Sequence, residues 1–137
     1  MAIPRDLDRR VRRRAGGLCE YCRLPPAFDP WTFHVDHILA EQHGGKTRFN
    51  NLALACSRCN WNKGPNLSGF DKITREIIRL YNPRRDRWEE HFRWRGPQLV
   101  GLTAIGRVTI RVLAINHPDA VKLRRELIAE GVFPPST

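Results

Sequence analysis

The sequence predicts an α+β fold built from short strands and helices, and three observations point to this class. Apolar and polar residues alternate from Trp31 to Leu39, as in a half-buried strand. Apolar residues at helical spacing occur toward both ends of the chain, before residue 15 and after residue 103. Two Cys-x-x-Cys pairs, 19/22 and 56/59, enclose the strand pattern. We therefore expect a strand-containing centre with helical segments on either side.

Size and composition indicate a single folded unit. The chain has 137 residues, enough for one modest core, and its apolar fraction of 41% is that of a globular protein. No apolar run approaches the roughly 20 residues that cross a bilayer, and MAIPRDLDRRVRRR lacks the apolar centre of a secretory signal. We therefore expect a soluble, cytoplasmic protein without a membrane partner.

The charge balance points to a polyanionic partner. The net charge is +10, and arginine supplies 20 of the 24 basic residues. Its planar guanidinium matches phosphate oxygens, so nucleic acid is the expected class of partner. The alternative is an arginine excess that serves only solubility or reflects genomic composition.

The first predicted element is a helix from Pro4 to Ala15. Proline suits the first helical position, two aspartates lie near the positive end of the helix dipole, and Gly16-Gly17 ends the helix. The six arginines of this helix can follow a phosphate backbone or can simply be solvated, and the pattern leaves both alternatives open. The residues expected to face the core are Ile3, Leu7 and Val11.

Four cysteines in two pairs predict a structural metal site. A Cys-x-x-Cys turn places two sulfurs on one side of a tight loop, at the separation that tetrahedral zinc requires. The expected ligands are Cys19, Cys22, Cys56 and Cys59, with 33 residues between the two pairs. Zinc would close this long loop without an open coordination position, so it would not be the catalytic metal. A redox site is the alternative, but no thioredoxin-like βαβ pattern accompanies the pairs.

Between the cysteine pairs the pattern predicts strand, loop, strand and helix. Apolar residues face one side of the first strand, and His34 and Asp36 face the other. Asp36 and His37 are adjacent, so both can serve one site only if the strand ends or twists at His37. The elements that follow are a loop with Gly44-Gly45, a strand at 52–55 and a helix at 57–63 that Gly64-Pro65 ends.

Beyond Pro65 the pattern predicts further short elements. They are, in order, an extended or strand segment at 73–81, a short helix at 87–91, a hairpin of 92–95 and 98–102, a helix at 103–116, and a last helix from Pro118 that Gly131 ends. Trp88 and Trp94 alternate with arginines, which is typical of a nucleic-acid surface. They can also be core anchors of a small domain, and we prefer that interpretation.

The residues DHI, NNLALACSRCN and NKG, between and around the cysteine pairs, carry a family resemblance. The chain resembles the HNH endonucleases of the His-Me finger (ββα-metal) group, in the form with four zinc-binding cysteines. WEEHFRW and GLTAIGR are similar to small standalone bacterial HNH proteins, so the resemblance covers nearly the whole chain. It implies a single domain with a zinc-clamped ββα-metal core at 19–66. An N-terminal basic helix at 1–18 and a C-terminal extension at 67–137, with a hairpin plus two helices, flank this core.

Carried over residue by residue, the resemblance implies a catalytic set. His37 matches the general base, Asp36 the first ligand of a catalytic metal, Asn51 the middle asparagine, and Asn60 the final metal ligand, where many members have histidine. A neutral imidazole is a suitable base at pH 7, and a carboxylate with an amide oxygen favours Mg²⁺ or Mn²⁺. Asn51 is expected to orient the site by bonding either the backbone or the far nitrogen of His37.

This set predicts hydrolysis of DNA phosphodiester bonds, by nicking or double-strand cleavage, and the family implies 5′-phosphate and 3′-hydroxyl products. Candidate phosphate or substrate contacts are His34, Arg58 and Lys63, although His34 can also be a metal ligand or a structural strand residue, and Lys63 a helix cap. A non-catalytic, zinc-stabilised nucleic-acid-binding module is the alternative function. Double- or single-stranded DNA is the expected partner, without a small-molecule cofactor, and the sequence leaves the oligomeric state open.

Overall fold

The computed structural model describes residues 3–136, and within this range it contains five α-helices and three two-stranded sheets. The helices are α1 (Arg5–Arg14), α2 (Ser57–Lys63), α3 (Trp88–His91), α4 (Ala104–Val112) and α5 (Pro118–Ala129). The antiparallel hairpins are β1 (His34–His37) with β2 (Leu52–Ala55), β3 (Ser68–Asp71) with β4 (Glu76–Arg79), and β5 (Phe92–Arg95) with β6 (Gln98–Gly101). The predicted α+β class is therefore confirmed.

Helix α1 packs on the β1–β2 hairpin and uses two of its arginines inside the protein. Arg12 donates to the carbonyl of Phe33 at 3.0 Å, and Arg14 donates to the carbonyls of Phe49 and Leu52 at 2.6 and 2.5 Å. The arginines that stay exposed are Arg5, Arg9, Arg10 and Arg13. The outer face of α1 thus remains basic, while its inner arginines fasten the helix to the backbone of the hairpin.

The main core lies between the β1–β2 and β5–β6 hairpins and helix α4, and it contains the aromatic residues that the sequence left ambiguous. Trp88 is buried, donates from Nε1 to the carbonyl of Tyr21 at 2.9 Å, and lies 5.2 Å from the ring of Phe92. Trp94 is half-buried and packs edge-on against Phe133 at 5.0 Å. Trp88 is therefore a core anchor, and the alternative of a stacking surface for nucleic acid is wrong for it. Trp94 packs against the core but keeps part of its surface exposed.

Two predicted strands have different limits in the structure. The strand expected at 31–39 is shortened at both ends to β1. Before β1, the side chain of Asp29 accepts from the Trp31 amide at 2.9 Å and holds the chain in a turn. The strand expected at 73–81 is reduced to β4, which pairs with a strand that was not predicted. That partner, β3, has the sequence SGFD, in which serine, glycine and aspartate are poor strand formers.

The helix expected at 103–116 ends at Val112, earlier than its apolar periodicity suggests. Ala114 has a φ of 53°, in the left-handed region that terminates helices. Asn116 then bonds the backbone of Leu99 twice, through Oδ1 and Nδ2, at 2.9 and 2.8 Å. This pairing with β6 draws the chain away from the helix axis.

Among residues 3–136, no helix combines the length and the apolar character needed to span a bilayer.

Candidate active site and metal centre

The four cysteine sulfurs form one cluster, although the two pairs are far apart in sequence. The residues are Cys19, Cys22, Cys56 and Cys59; all are buried free cysteines, and their sulfurs lie within 4.8 Å of one another. The Cys22 and Cys56 sulfurs are 3.7 Å apart, which excludes a disulfide of about 2.05 Å. A tetrahedron with arms of about 2.3 Å has edges of about 3.8 Å. The donor set therefore fits a tetrahedrally bound metal ion, and its thiolate chemistry suits zinc.

The backbone around each cysteine pair favours a metal-bound thiolate. The Cys22 amide lies 3.5 Å from the Cys19 sulfur, and the Cys59 amide lies 3.5 Å from the Cys56 sulfur. The neighbouring Cys19 sulfur and burial raise the pKa of the Cys22 and Cys59 thiols well above the usual range. Four thiols this close cannot all ionise without a compensating positive charge, and a divalent cation supplies it.

Two carboxylates fasten the cysteine pairs to the strands and to α2. Glu20 is buried and accepts from the Leu54 amide at 2.8 Å, while its other oxygen pairs with Arg84. Asp29 accepts from the amide and the hydroxyl of Ser57, at 3.1 and 2.8 Å, at the first residue of α2. The cysteine cluster is therefore tied to the elements that carry the candidate catalytic residues.

An open cavity of about 490 Å³ brings three of the predicted catalytic residues together. Asp36 and His37 reach it from the end of β1, and Asn60 reaches it from α2. The pairing of β1 with β2 stops at His37 and Leu52, so the strand ends where the sequence required it to end. The other lining residues are Ala40, Glu41, Gln42, Trp61, Gly64 and Pro65.

A tight loop brings Thr47 to the side chain of His37. A hydrogen bond of 2.8 Å joins His37 Nε2 to Thr47 Oγ1. Gly44 has a φ of 90°, and a Cβ added to Gly45 would lie 1.7 Å from the carbonyl oxygen of Leu39, so this fold of the loop needs glycine at both positions. Nothing in the residue pattern identified Thr47, and the Gly-Gly pair was the one sequence signal that the loop turns tightly.

The side chain of Asn51 closes the same loop by forming hydrogen bonds with the backbone of the loop. Its Oδ1 accepts from the Leu39 amide at 2.9 Å, and its Nδ2 donates to the carbonyls of Leu39 and Lys46 at 3.0 and 2.9 Å. Of the two partners predicted for Asn51, the structure contains the backbone. The side-chain partner of His37 is Thr47 instead. Asn51 therefore lies outside the cavity lining and holds the loop against the end of β1.

Lys63 is turned inward and is not placed as the phosphate contact suggested by the sequence. Its side chain is only 4% exposed, and Nζ donates to the carbonyls of His37 and Ile38 at 3.3 and 3.0 Å. Burial lowers the pKa of Lys63, whereas the nearby Asp36 carboxylate raises it. A buried ammonium needs such partners, so Lys63 supports the backbone at the end of β1.

The other two candidate substrate contacts lie outside the cavity that holds Asp36, His37 and Asn60. His34 is exposed on β1, opposite Ala55 of β2. Arg58 is on α2 and lines a separate cavity of about 310 Å³, beside three of the cysteines. Neither residue is therefore grouped with the predicted catalytic set.

Comparison with known protein families supports the interpretation of this region. Residues 19–66 match the family model described as HNH endonuclease. Comparison with curated proteins and with solved structures finds no match. The matched segment contains both cysteine pairs, the β1–β2 hairpin and helix α2. Residues 19–66 of this chain are therefore an HNH endonuclease domain.

Proposed function

We propose that this chain is a metal-dependent endonuclease that hydrolyses DNA phosphodiester bonds, with His37 as its general base. The observation that carries the proposal is the cavity in which Asp36, His37 and Asn60 meet within the HNH domain. The net charge of +10 adds a general attraction for nucleic acid.

In this proposal, Nδ1 of His37 takes the proton from the attacking water. A neutral imidazole that accepts at Nδ1 carries its hydrogen at Nε2, and Thr47 Oγ1 lies 2.8 Å from Nε2 to accept it. When the ring becomes positively charged, this hydrogen bond becomes stronger. Thr47 is thus a positioning residue. Lys63 and Asn51 are positioning residues as well, because Lys63 bonds the carbonyl of His37 and Asn51 holds the loop that follows it.

The residues around the cavity fit a hard divalent cation. Asp36 offers a carboxylate, Asn60 offers an amide oxygen, and Glu41 adds a second carboxylate to the lining. Mg²⁺ is commonly held by one or two carboxylates while it keeps several waters, so a sparse set of oxygen donors suits Mg²⁺ or Mn²⁺. When bound, such a cation neutralises charge on the phosphate and on the departing 3′-oxygen.

The nicking of a supercoiled plasmid tests the proposal. Zinc-loaded wild-type protein should nick the plasmid when Mg²⁺ or Mn²⁺ is added, and His37→Ala should lose this activity while it keeps the wild-type melting temperature. His43→Ala is the matched control, because His43 is exposed and lies outside the cavity lining. A plasmid left intact by the wild type with both cations would overturn the proposal and favour a nucleic-acid-binding module.

We assign zinc to the cysteine centre, where it acts on structure and not on chemistry. A four-thiolate site has no open position for water or substrate, and metal binding of this kind contributes directly to folding. Metal analysis should find about one zinc ion per chain. Cys56→Ser should lose the zinc and unfold, whereas Ser68→Ala, at an exposed strand position, should do neither. A folded, zinc-free Cys56→Ser protein would contradict the assignment.

We also propose that the flanking segments belong to the same domain as the HNH core. Two residues of the segment 67–137 bond the residues that lie between Cys19 and Cys22: Arg84 pairs with Glu20, and Trp88 donates to the carbonyl of Tyr21. On the other side of the core, Arg14 of α1 donates to the backbone at the start of β2. These contacts support one unit in which residues 1–18 and 67–137 stabilise the nuclease core.

A further inference from the structure

Trp61 is an exposed aromatic residue at the candidate active site. Its side chain is 85% exposed, although it lies on α2 within the HNH domain. Exposing an indole ring forfeits the free energy that burial of its apolar surface would contribute. Trp88 and Trp94 gain this free energy by packing into the core. A bound ligand that covers the Trp61 ring would recover this free energy.

The position of Trp61 relates it directly to the chemistry proposed for the cavity. It lines the same cavity as Asp36 and His37, and it follows Asn60 on the helix. Neighbouring helical residues differ by about 1.5 Å along the axis and about 100° around it. The indole thus stands beside the proposed site of the cleaved phosphate, from which the nearest base of a bound strand is one sugar away.

We infer that Trp61 forms a stacking subsite for an unpaired nucleobase next to the scissile phosphate. The inference rests on the proposed function, because it takes the cavity as the place where the phosphate is held. In an intact duplex both faces of a base are covered by its neighbours, so an indole gains a full stacking contact most readily with a base that is single-stranded or has left the helix. The preferred substrate class is therefore single-stranded or locally opened nucleic acid.

The lining of the cavity favours a nucleobase over an apolar protein surface. Among the described residues that line it, Trp61 is the one large apolar side chain, and most of its neighbours there are small or polar. A protein docking site usually presents a broader apolar patch. Gln42 offers an amide that can bond the edge of a stacked base. The positive net charge draws the strand to the protein, whereas stacking depends little on which base is present.

Fluorescence anisotropy with zinc-loaded protein, without Mg²⁺ or Mn²⁺, tests the subsite apart from cleavage. The probes are a short labelled single-stranded DNA and the duplex of the same sequence. Trp61→Ala should weaken binding of the single strand by roughly 10- to 100-fold, and Trp61→Phe should restore most of it. Duplex affinity should change by less than about threefold. Trp31→Ala is the matched control, because Trp31 is 69% exposed but lies outside this cavity.

An abasic site moved along the single strand identifies the stacked base. At one position the abasic site should reduce the affinity of the wild type by about the same factor as Trp61→Ala does. At that position it should not reduce the affinity of the Trp61→Ala protein any further. Independent, additive losses would overturn the inference, as would equal affinity of Trp61→Ala and wild type for the single strand. Unchanged DNA affinity with a change in sedimentation on Trp61→Ala would overturn it in favour of a protein partner.

Cleavage assays separate this inference from the proposed function. If the predicted effects on single-strand binding are found but the wild type cleaves nothing with Mg²⁺ or Mn²⁺, the nuclease is overturned. Trp61 would then be a base-stacking site of a binding module, with no scissile phosphate beside it. A wild type that cleaves a bulged duplex no faster than Trp61→Ala does would overturn the subsite and leave the nuclease standing.

Discussion

Replacing Thr47 by valine should slow the proposed cleavage without weakening substrate binding. Valine keeps the shape of threonine but removes the hydroxyl that lies 2.8 Å from Nε2 of His37. In the proposed reaction the His37 ring accepts a proton, and before that step the hydroxyl only holds the ring in place. In the transition state of that reaction the same hydroxyl would stabilise the developing positive charge. The substitution therefore acts on the transition state more than on the bound substrate.

The size of the effect follows from the change in the charge of the ring. A hydrogen bond between neutral groups contributes about 0.5–1.5 kcal/mol to stability, and one to a charged group contributes about 1.5–3 kcal/mol. The bond from His37 to Thr47 changes from the first kind to the second during the reaction. Its loss should raise the barrier by about 1 to 1.5 kcal/mol, which lowers kcat roughly 5- to 15-fold with little change in KM.

Single-turnover nicking of a supercoiled plasmid at saturating Mg²⁺ measures this effect. Thr47→Ser is the matched control, because it keeps the hydroxyl and should retain a rate close to that of the wild type. Thermal melting with zinc bound shows that each variant is folded. A Thr47→Val rate within about twofold of wild type would refute the reasoning, because that difference is smaller than the weakest hydrogen bond considered. An equal loss in Thr47→Ser would refute it too, since the methyl group would then be responsible.

The remaining predictions concern two charged groups that the fold partly or fully buries. Lys63→Met removes the hydrogen bonds to the carbonyls of His37 and Ile38. Its free energy of unfolding, measured with urea on the zinc-loaded protein, should therefore be about 1–3 kcal/mol lower than that of the wild type. Its DNA binding should keep the wild-type salt dependence, and a shallower dependence would reinstate Lys63 as a phosphate contact. Hydrogen bonds from Arg107 hold the pKa of Asp71 well below its ordinary value. This ion pair therefore stabilises the fold fully above the ordinary carboxyl pKa, and its contribution decreases as the pH falls toward the pKa of Asp71 in the folded protein. Between about pH 5 and pH 2, the melting temperature of Asp71→Asn should fall less steeply than that of the wild type. Melting temperatures that fall equally with pH in the wild type and in Asp71→Asn would contradict this prediction.

Much of the candidate site could be predicted because its signals are short and local. A Cys-x-x-Cys turn places two sulfurs together whatever the rest of the fold does, and the four sulfurs are indeed one cluster. The strand, loop, strand and helix between the cysteine pairs follow from alternation and from punctuation by glycine and proline. The adjacency of Asp36 and His37 set a condition on where β1 ends, and the hairpin ends there. The catalytic roles of these residues stay predictions.

Other features could not be predicted because they depend on contacts between distant segments. The residues of β3 are poor strand formers, so the sequence did not predict this strand. It forms because it pairs with β4. The length of α4 depends on Asn116, which bonds the backbone of Leu99. Lys63 looks like a solvent-facing lysine at the end of a short helix, and its burial depends on the carbonyls that the end of β1 presents to it.

The sequence by itself determined the two kinds of donor in this protein, because ligand chemistry and short spacings are properties of the chain. Four soft sulfurs lie in two pairs, and the segment between the pairs carries hard oxygen donors such as Asp36 and three histidines, among them His37. Only the tertiary structure decided which side chain holds Nε2 of His37 and which tryptophans stay in solvent. Both depend on how the loop at 39–51 folds onto β1 and on what the remaining segments cover, since burial is decided by the whole fold.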